Sequence, residues 1–579
     1  MQILCRNGQG ESALEEIEAA LEQFPGNPDL HVIQAGVLRS LRQYGAAAGA
    51  YAQAAQLDRD NAAIWFGMGV CLESAGEQKG AFQAYAKAVS LEPSHGPAFF
   101  NLIGRLRKGR HHGKVIERLE AAPNSVRSHP AWFPLYAATK FESGDYRTIQ
   151  QAPLDQGSLF NRNHEVAALR IRAMVYDPAV TGADLLAAAR VWDRSFGPAK
   201  VDDLPLRDPL PDRPLRIGLV NTRMRRQNVG LQQLALMQNR PSADECTLHL
   251  YAANDVNDEV TEEMKRLSDS FTDISKLTDQ AACERIRADQ IDILVDFNEY
   301  ANDGRLGVFA RRAAPIQVHY YGNAVTTGLR AMDYRISDVI SEPPGEADAA
   351  SAEKIIRLEG GYHMYTPPPK PARLIFETPA LSAGHVTFGA IHHLAKYNDG
   401  VLAAFRQILE ALPNAHLVLA RDNFQDPPTC ADFAEKLKRH CLPQGRVHLL
   451  PDHGAIATLA IWQRIDCVLD SFPFSGDATT MDSLYAGVPM ITLAGRRLAS
   501  RRAASMLHLL GCPELVAENE EAYVAKAIEL GRDVERLNAY RQTLHQKVEA
   551  SPLRQHALPS RAFYTAIRRV WQDEVTQQA

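Results

Sequence analysis

The chain has 579 residues, 45% of them hydrophobic, and a formal net charge of −6 with both signs interspersed. That length and composition allow three or four domains with large cores, and the mild acidity argues against a nucleic-acid partner. The eight cysteines are scattered without a C-x-x-C pair, which argues against zinc ribbons and disulfide frameworks and fits a reducing cytoplasm. No basic-then-apolar leader and no apolar run of about 18 residues occurs, so a cytoplasmic chain without a membrane span is expected.

Residues 1–200 read as a helical repeat array. Ala81, Tyr85 and Ala88 repeat Ala47, Tyr51 and Ala54 at an interval of 34 residues, and Pro25 and Pro93 stand two such periods apart. Small residues where helices cross, a large residue between them and a closing proline resemble the tetratricopeptide repeat. The pattern decays beyond Pro97, where Arg110-His111-His112-Gly113 interrupts it, but residues 130–200 still read as helical. His111-His112 lacks a carboxylate or cysteine neighbour in sequence and reads as a solvated turn. Stacked repeats offer concave surfaces to macromolecules, which suggests a protein partner for this region.

Residues 201–375 open with a proline-rich linker, Asp203 to Pro214, and then alternate strands and helices. Leu215–Val220, Thr247–Tyr251 and Ile291–Asp296 are apolar enough for a parallel sheet covered on both faces. In such sheets the loops after the strand ends carry the chemistry. Here these are Asn221 to Gly230, which contains Gln227, and Asp296 to Arg305. Residues 376–579 repeat the arrangement, with strands at His385–Ala390, His416–Ala420, Arg446–Leu450, Cys467–Leu469 and Met490–Leu493. Neither G-x-G-x-x-G after a strand nor G-x-x-x-x-G-K-[ST] is present, which argues against a dehydrogenase and a P-loop kinase.

The stretch Asp470 to Pro489 is a Pro-, Gly- and Ser-rich turn, including Gly476, followed by a helix opening at Thr479-Thr480. A helix N-terminus offers unpaired N–H groups and a positive dipole end to a diphosphate. The two threonine hydroxyls can add donors, and Asp482, placed in the first turn, can accept from a ribose hydroxyl. The same residues also suit an ordinary capped helix after a strand.

Taken together, Phe388-Gly389, Leu394-Ala395-Lys396, the Asp470–Pro489 stretch, Leu498-Ala499-Ser500-Arg501, Gly511 to Val516, Asp296-Phe297-Asn298, Ala314 to Val318 and Met332-Asp333-Tyr334 resemble the O-linked N-acetylglucosamine transferase / SPINDLY family, glycosyltransferase family 41, in its bacterial form. The likeness covers residues 215–575. It implies a tetratricopeptide-like array (1–200) followed by an α/β GT-B transferase of two Rossmann-like lobes (201–375 on the acceptor side, 376–579 for the UDP-sugar). It further implies an inverting, metal-independent transfer to Ser or Thr of a protein, with UDP-sugar as donor substrate and no other cofactor. Lys396 would meet the donor diphosphate, as would Gly476, Thr479 and Thr480, with Asp482 on the ribose and His393 contacting the donor.

Three positions depart from the family. Gln227 stands for a histidine once proposed as the base, Tyr300 for a second histidine, and His363 for an aromatic residue. Gln cannot take a proton as His does, so Asp296, His319 and His363 become candidate replacements. The catalytic candidates are Lys396, Gln227 and Asp296. Three readings stand. One is a protein O-glycosyltransferase whose repeats bind the acceptor, flagellin or another bacterial protein; another is a non-catalytic adaptor with a degenerate transferase domain; the third, transfer to a small molecule or glycan, is disfavoured by the repeat array. Self-association is compatible with the first two.

Overall fold

The structure, a computed structural model, describes residues 10–151, 163–254, 256–301, 303–322, 324–368, 376–452 and 455–578. The chain divides into two compact units. One takes Met1–Thr139 with Asp426–Thr429, and the other takes Lys140–Gln425 with Cys430–Ala579.

The first unit is built of paired helices, among them Pro28–Ser40, Tyr44–Leu57, Ala62–Ser74, Gln78–Leu91, Gly96–Lys108 and His112–Glu120. The 34-residue interval is visible in their starts. Asn27, Asn61 and His95 each accept a backbone N–H of the helix that follows, at 3.0, 3.1 and 3.2 Å, satisfying donors that a helix start leaves open. Ala47, Ala54, Ala81, Ala88 and Tyr85 are all 0% exposed. Gly69 explains the close crossing: a Cβ there would lie 2.6 Å from the Tyr85 ring.

The second unit holds two all-parallel sheets. The first has seven strands in the order β3-β2-β1-β4-β5-β6-β7, and the second has six in the order β10-β9-β8-β11-β12-β13. In the first sheet β1 is Leu215–Asn221, β2 Cys246–Ala252, β3 Ser270–Asp273, β4 Ile293–Asp296, β5 Ile316–Tyr320, β6 Tyr334–Ser337 and β7 Lys354–Arg357. In the second, β8 is Thr387–Ala390, β9 His416–Ala420, β10 Val447–Leu450, β11 Cys467–Leu469, β12 Met490–Leu493 and β13 Val516–Ala517. The central strands are buried on both faces, so β4 and β8 show no exposed position. Each sheet is thus one Rossmann-like lobe, and the tetratricopeptide-like array plus GT-B class expected from the sequence is the architecture observed.

Two connections were not visible locally. Helix Gly182–Phe196, grouped with the repeats on sequence, packs with the second unit: Arg330 Nε donates to Asp193 at 2.6 Å and Trp192 meets Tyr300 edge-on at 5.7 Å. The final helix, Ala557–Gln578, follows the second lobe in sequence but packs on the first. Its Phe563, Ile567 and Trp571 join the core around β1, β2 and β4, and Trp571 Nε1 donates to Leu210 O at 3.0 Å.

Candidate functional site

The loops after β8 and β11 face each other at the C-terminal edge of the second sheet, where open α/β sheets bind ligands. Asp470 shapes the second loop. Its Oδ1 accepts from the backbone N–H of Ser471 and Gly476, both at 2.8 Å, and its Oδ2 from Thr492 Oγ1 at 2.6 Å. Gly476 is required for packing, since a Cβ there would sit 2.2 Å from Thr480 Oγ1. Lys396, ending a short turn of 3-10 helix after β8, donates to Ser475 O at 2.6 Å and lies 4.3 Å from the centre of the Phe474 ring. Burial pushes its ammonium down to about 8, against the pull of Asp470 and Asp477. Among the described residues no carboxylate forms an ion pair with it.

The helix that follows spans Ala478–Tyr485. Thr479 is half-buried and its hydroxyl has no partner among the described residues. Thr480 differs: it is 0% exposed, with Oγ1 on Met490 Sδ at 3.6 Å, so its side chain is unavailable. Successive helical residues point about 100° apart, and only one of the pair can face the loop. Asp482 is the fifth helical residue and therefore stands in the second turn, which corrects the first-turn placement. Its Oδ1 accepts from Tyr365 Oη at 2.8 Å, and burial raises its carboxyl to about 6.

His393 is engaged with residues well upstream in the chain. It lies 5.1 and 5.7 Å from the Phe141 and Tyr176 rings, with Nε2 3.4 Å from Glu142. Its neighbour His392 is 2% exposed and donates Nε2–H to Leu469 O at 3.1 Å. Burial and the nearby Lys396 drive it down to about 3, so it is neutral.

On the first lobe, Gln227 caps helix Asn228–Gln238 without a side-chain bond to it. With its amide oxygen turned toward Arg225, it accepts from Nε and Nη2 at 2.8 and 2.9 Å, which turns the NH2, a donor, to the opposite side. Asp296 ends β4 fully enclosed. Its carboxylate takes the N–H groups of Asn298 and Glu299 at 3.0 and 2.9 Å and His319 Nδ1 at 3.0 Å. With its oxygens so occupied, Asp296 holds His319 in place. His319 Nε2 lies 3.7 Å from Glu299 Oε2. Burial lowers the imidazole, but the Asp296 bond and the Glu299 charge outweigh it and the net shift is upward. Burial raises Glu299 to about 7. Glu299 also sits at φ 49°, a conformation uncommon outside glycine that costs about 1 kcal/mol or more.

Tyr300 is buried in support of this loop, donating to Thr327 O at 2.5 Å. His363 is 0% exposed, its ring centre 4.1 Å from that of Tyr362 with the planes tilted by 33°, and lies 3.9 Å from Asp477 Oδ1. Burial lowers it to about 4.

Tyr321, Asp477 and Arg502 join the two lobes. Asn228 Nδ2 donates to Tyr321 Oη at 3.0 Å, and Tyr321 Oη donates to Asp477 at 2.6 Å. Arg502 donates to Asp477 Oδ2 at 3.1 Å and to Gly322 O at 2.6 Å, with its guanidinium 5.2 Å from the centre of the Tyr321 ring. The start of helix Asn228–Gln238 is thereby tied to the start of helix Ala478–Tyr485, and Lys396, Arg502 and a helix N-terminus converge on one edge. Such a set is suited to an anion with several oxygens. Among the described residues, no three His, Cys, Asp or Glu side chains cluster closely enough to hold a metal ion.

The model of glycosyl transferase family 41 matches residues 207–364 and 374–558. The chain belongs to glycosyl transferase family 41. A tomato protein named probable UDP-N-acetylglucosamine–peptide N-acetylglucosaminyltransferase SPINDLY is 36% identical over 312 residues, 52% of this chain and 32% of that protein. The barley protein of the same name is 32% identical over 418 residues, covering 69% of this chain and 43% of its own length. The chain thus spans less than half of these relatives. Among solved structures, a lysine-to-methionine mutant of the Thermobaculum terrenum O-GlcNAc transferase superposes with a TM-score of 0.70 at 27% identity, covering 95% of this chain and 98% of that one.

Every sequence-predicted site residue lies within the matched family segments. Lys396, Thr479 and Gly476 share one loop cluster, and Gln227 is linked to it through its neighbour Asn228. Asp296 and Thr480 are occupied internally. Arg502, Tyr321, Asp477 and Glu299 were not singled out from sequence. The Ser500-Arg501-Arg502 run beside a recognised motif was the available signal for Arg502.

Proposed function

We propose that this family 41 chain transfers a sugar from a UDP-sugar to Ser or Thr of a protein acceptor, inverting the anomeric carbon without a metal ion. The supporting observation is Lys396, a charged side chain without a carboxylate partner among the described residues, set beside the Ser475 carbonyl and next to a helix start bearing the Thr479 hydroxyl. In the proposed step the acceptor oxygen attacks the anomeric carbon from the side opposite the diphosphate. The bond from that carbon to the phosphate oxygen breaks, and UDP departs with the electron pair. Lys396 and the helix N–H groups stabilise the developing charge. Gln227 cannot take the acceptor proton, which passes to a phosphate oxygen of the leaving group, while the Gln227 amide positions the reactants by donating a hydrogen bond. The names carried by the tomato, barley and Thermobaculum relatives support GlcNAc as the first sugar to test. The helical repeats would bind the acceptor protein.

One feature favours the adaptor reading. The Asp477 carboxylate stands at the very helix start that would receive the diphosphate. Arg502 and Tyr321 neutralise it, which is why the transferase reading is preferred. The deciding experiment incubates the protein with lysate and a panel of nucleotide sugars, then searches by mass spectrometry for hexose-type additions on Ser and Thr. Additions dependent on one donor support transfer. UDP binding with no donor turned over supports the adaptor.

A further inference from the structure

The helical-repeat unit carries a groove of about 770 Å³, formed by the start of helix Gln78–Leu91, the end of Gly96–Lys108 and helix His112–Glu120. Lys79, Lys108, Lys114 and Arg118 stand on its rim. All four are exposed, and none has an anionic partner among the described residues. Arg105, which also lines the groove, is by contrast paired with Glu73. Between the cations the floor is apolar: Leu106 is 4% exposed and Phe82 is half-buried.

Four uncompensated cations on a chain of net charge −6 make a local field opposite to that of the whole molecule. Their mutual repulsion is relieved by an anionic occupant. Glu117 interrupts the rim, which disfavours an unbroken row of phosphates such as a nucleic acid presents. An apolar floor framed by separated cations suits carboxylate side chains flanking a buried hydrophobic one.

We propose that this groove docks an acidic peptide segment of a partner protein, with Glu or Asp side chains on Lys79, Lys108, Lys114 and Arg118 and one apolar side chain on Phe82 and Leu106. The interaction weakens with salt, because exposed charges are screened beyond a Debye length of about 8 Å at physiological ionic strength.

The test uses the full chain and fluorescence anisotropy with a short labelled peptide of glutamates around one phenylalanine. Comparators are the matching lysine peptide, a single-stranded oligonucleotide of equal charge, and vesicles containing phosphatidylserine. The glutamate peptide is expected to bind, the lysine peptide not. Lys79→Glu with Lys114→Glu should weaken binding by about tenfold or more, and the corresponding Gln variants by less, as opposite-charge contacts at an interface predict. Thermal melting of each variant should match the parent, since these side chains are exposed. The proposal is overturned if the glutamate peptide binds no better than the lysine peptide, if the charge reversals leave its affinity unchanged, or if the oligonucleotide or vesicles bind more tightly.

Discussion

Arg502 and Asp477 form an ion pair at 3.1 Å, with side chains 4% and 22% exposed. The pair places a neutralised carboxylate at the start of helix Ala478–Tyr485 and ties that helix to the Tyr321 loop of the other lobe. Removing one partner of such a pair leaves an uncompensated charge, with a loss of about 3–5 kcal/mol. Arg502→Met should therefore destabilise the protein by about that amount in urea unfolding. Combining it with Asp477→Asn should recover most of the loss. Equal instability of the single and double variants would mean the two residues are not coupled.

Lys396→Ala is expected to lower the transfer rate by about a hundredfold, the effect of losing about 3 kcal/mol of charge stabilisation on the leaving group. Since the side chain is half-buried in a loop, circular dichroism should show an unchanged fold. Turnover near the parent rate with every donor would remove Lys396 from the mechanism.

The lysine also sets a pH dependence. Its folded value of about 8 lies below the ordinary 10.5. Between these values the unfolded chain binds more protons, so this group makes stability rise with pH from about 8 toward 10.5. Activity moves the other way, because the ammonium is lost above about 8. kcat/KM should fall above that pH with a single ionisation, and Lys396→Arg should shift the limb upward or remove it. At neutral pH Lys396→Met should be at least as stable as the parent, since it deletes a charge held where burial disfavours it. An alkaline limb unchanged in Lys396→Arg would assign that ionisation to another group.

In the helical repeats, Gly69→Ala should lower stability by about 1–3 kcal/mol, because the added methyl must displace the Tyr85 ring. Thermal melting of residues 1–139 within the full chain would register this as an earlier transition. Unchanged melting would show that the ring has room to move.

Much of this fold was legible in the sequence because its signals are local. The 34-residue interval reports Ala47, Tyr51, Ala81 and Tyr85, and the apolar runs of β1, β4, β9 and β11 report strands buried on both faces. Strands β3 and β7 escaped at the edges of the first sheet, where Ser270–Asp273 and Lys354–Arg357 need no unbroken apolar run; interior β5 and β6 escaped because the buried polar side chains of Gln317, His319, Arg335 and Ser337 interrupt their apolar runs, and β13 because it is only two residues long. The return of helix Ala557–Gln578 to the first lobe is a tertiary relation that no local pattern encodes. At the site, Lys396 was readable through its motif, and the helix start at Ala478–Tyr485 through its turn. The Asn228–Tyr321–Asp477–Arg502 chain was not, because it joins residues from four separate segments. Helix geometry alone separates Thr479 from Thr480, since adjacent residues point about 100° apart.

Gln227 bears most directly on whether the chain catalyses transfer. The proposed mechanism gives it a positioning hydrogen bond, so Gln227→Ala should reduce turnover by roughly tenfold, the worth of one neutral hydrogen bond. The measurement that tests the whole account is donor turnover by the parent protein, Lys396→Ala and Gln227→His in chelator-treated buffer, read by mass spectrometry of glycosylated acceptor and alongside UDP-binding calorimetry. Transfer through Lys396 predicts that the parent binds UDP and glycosylates, that Lys396→Ala loses transfer while remaining folded, and that Gln227→His brings no gain of function from zero. A parent that binds UDP yet turns over no donor, while Gln227→His does, would contradict it and establish the adaptor.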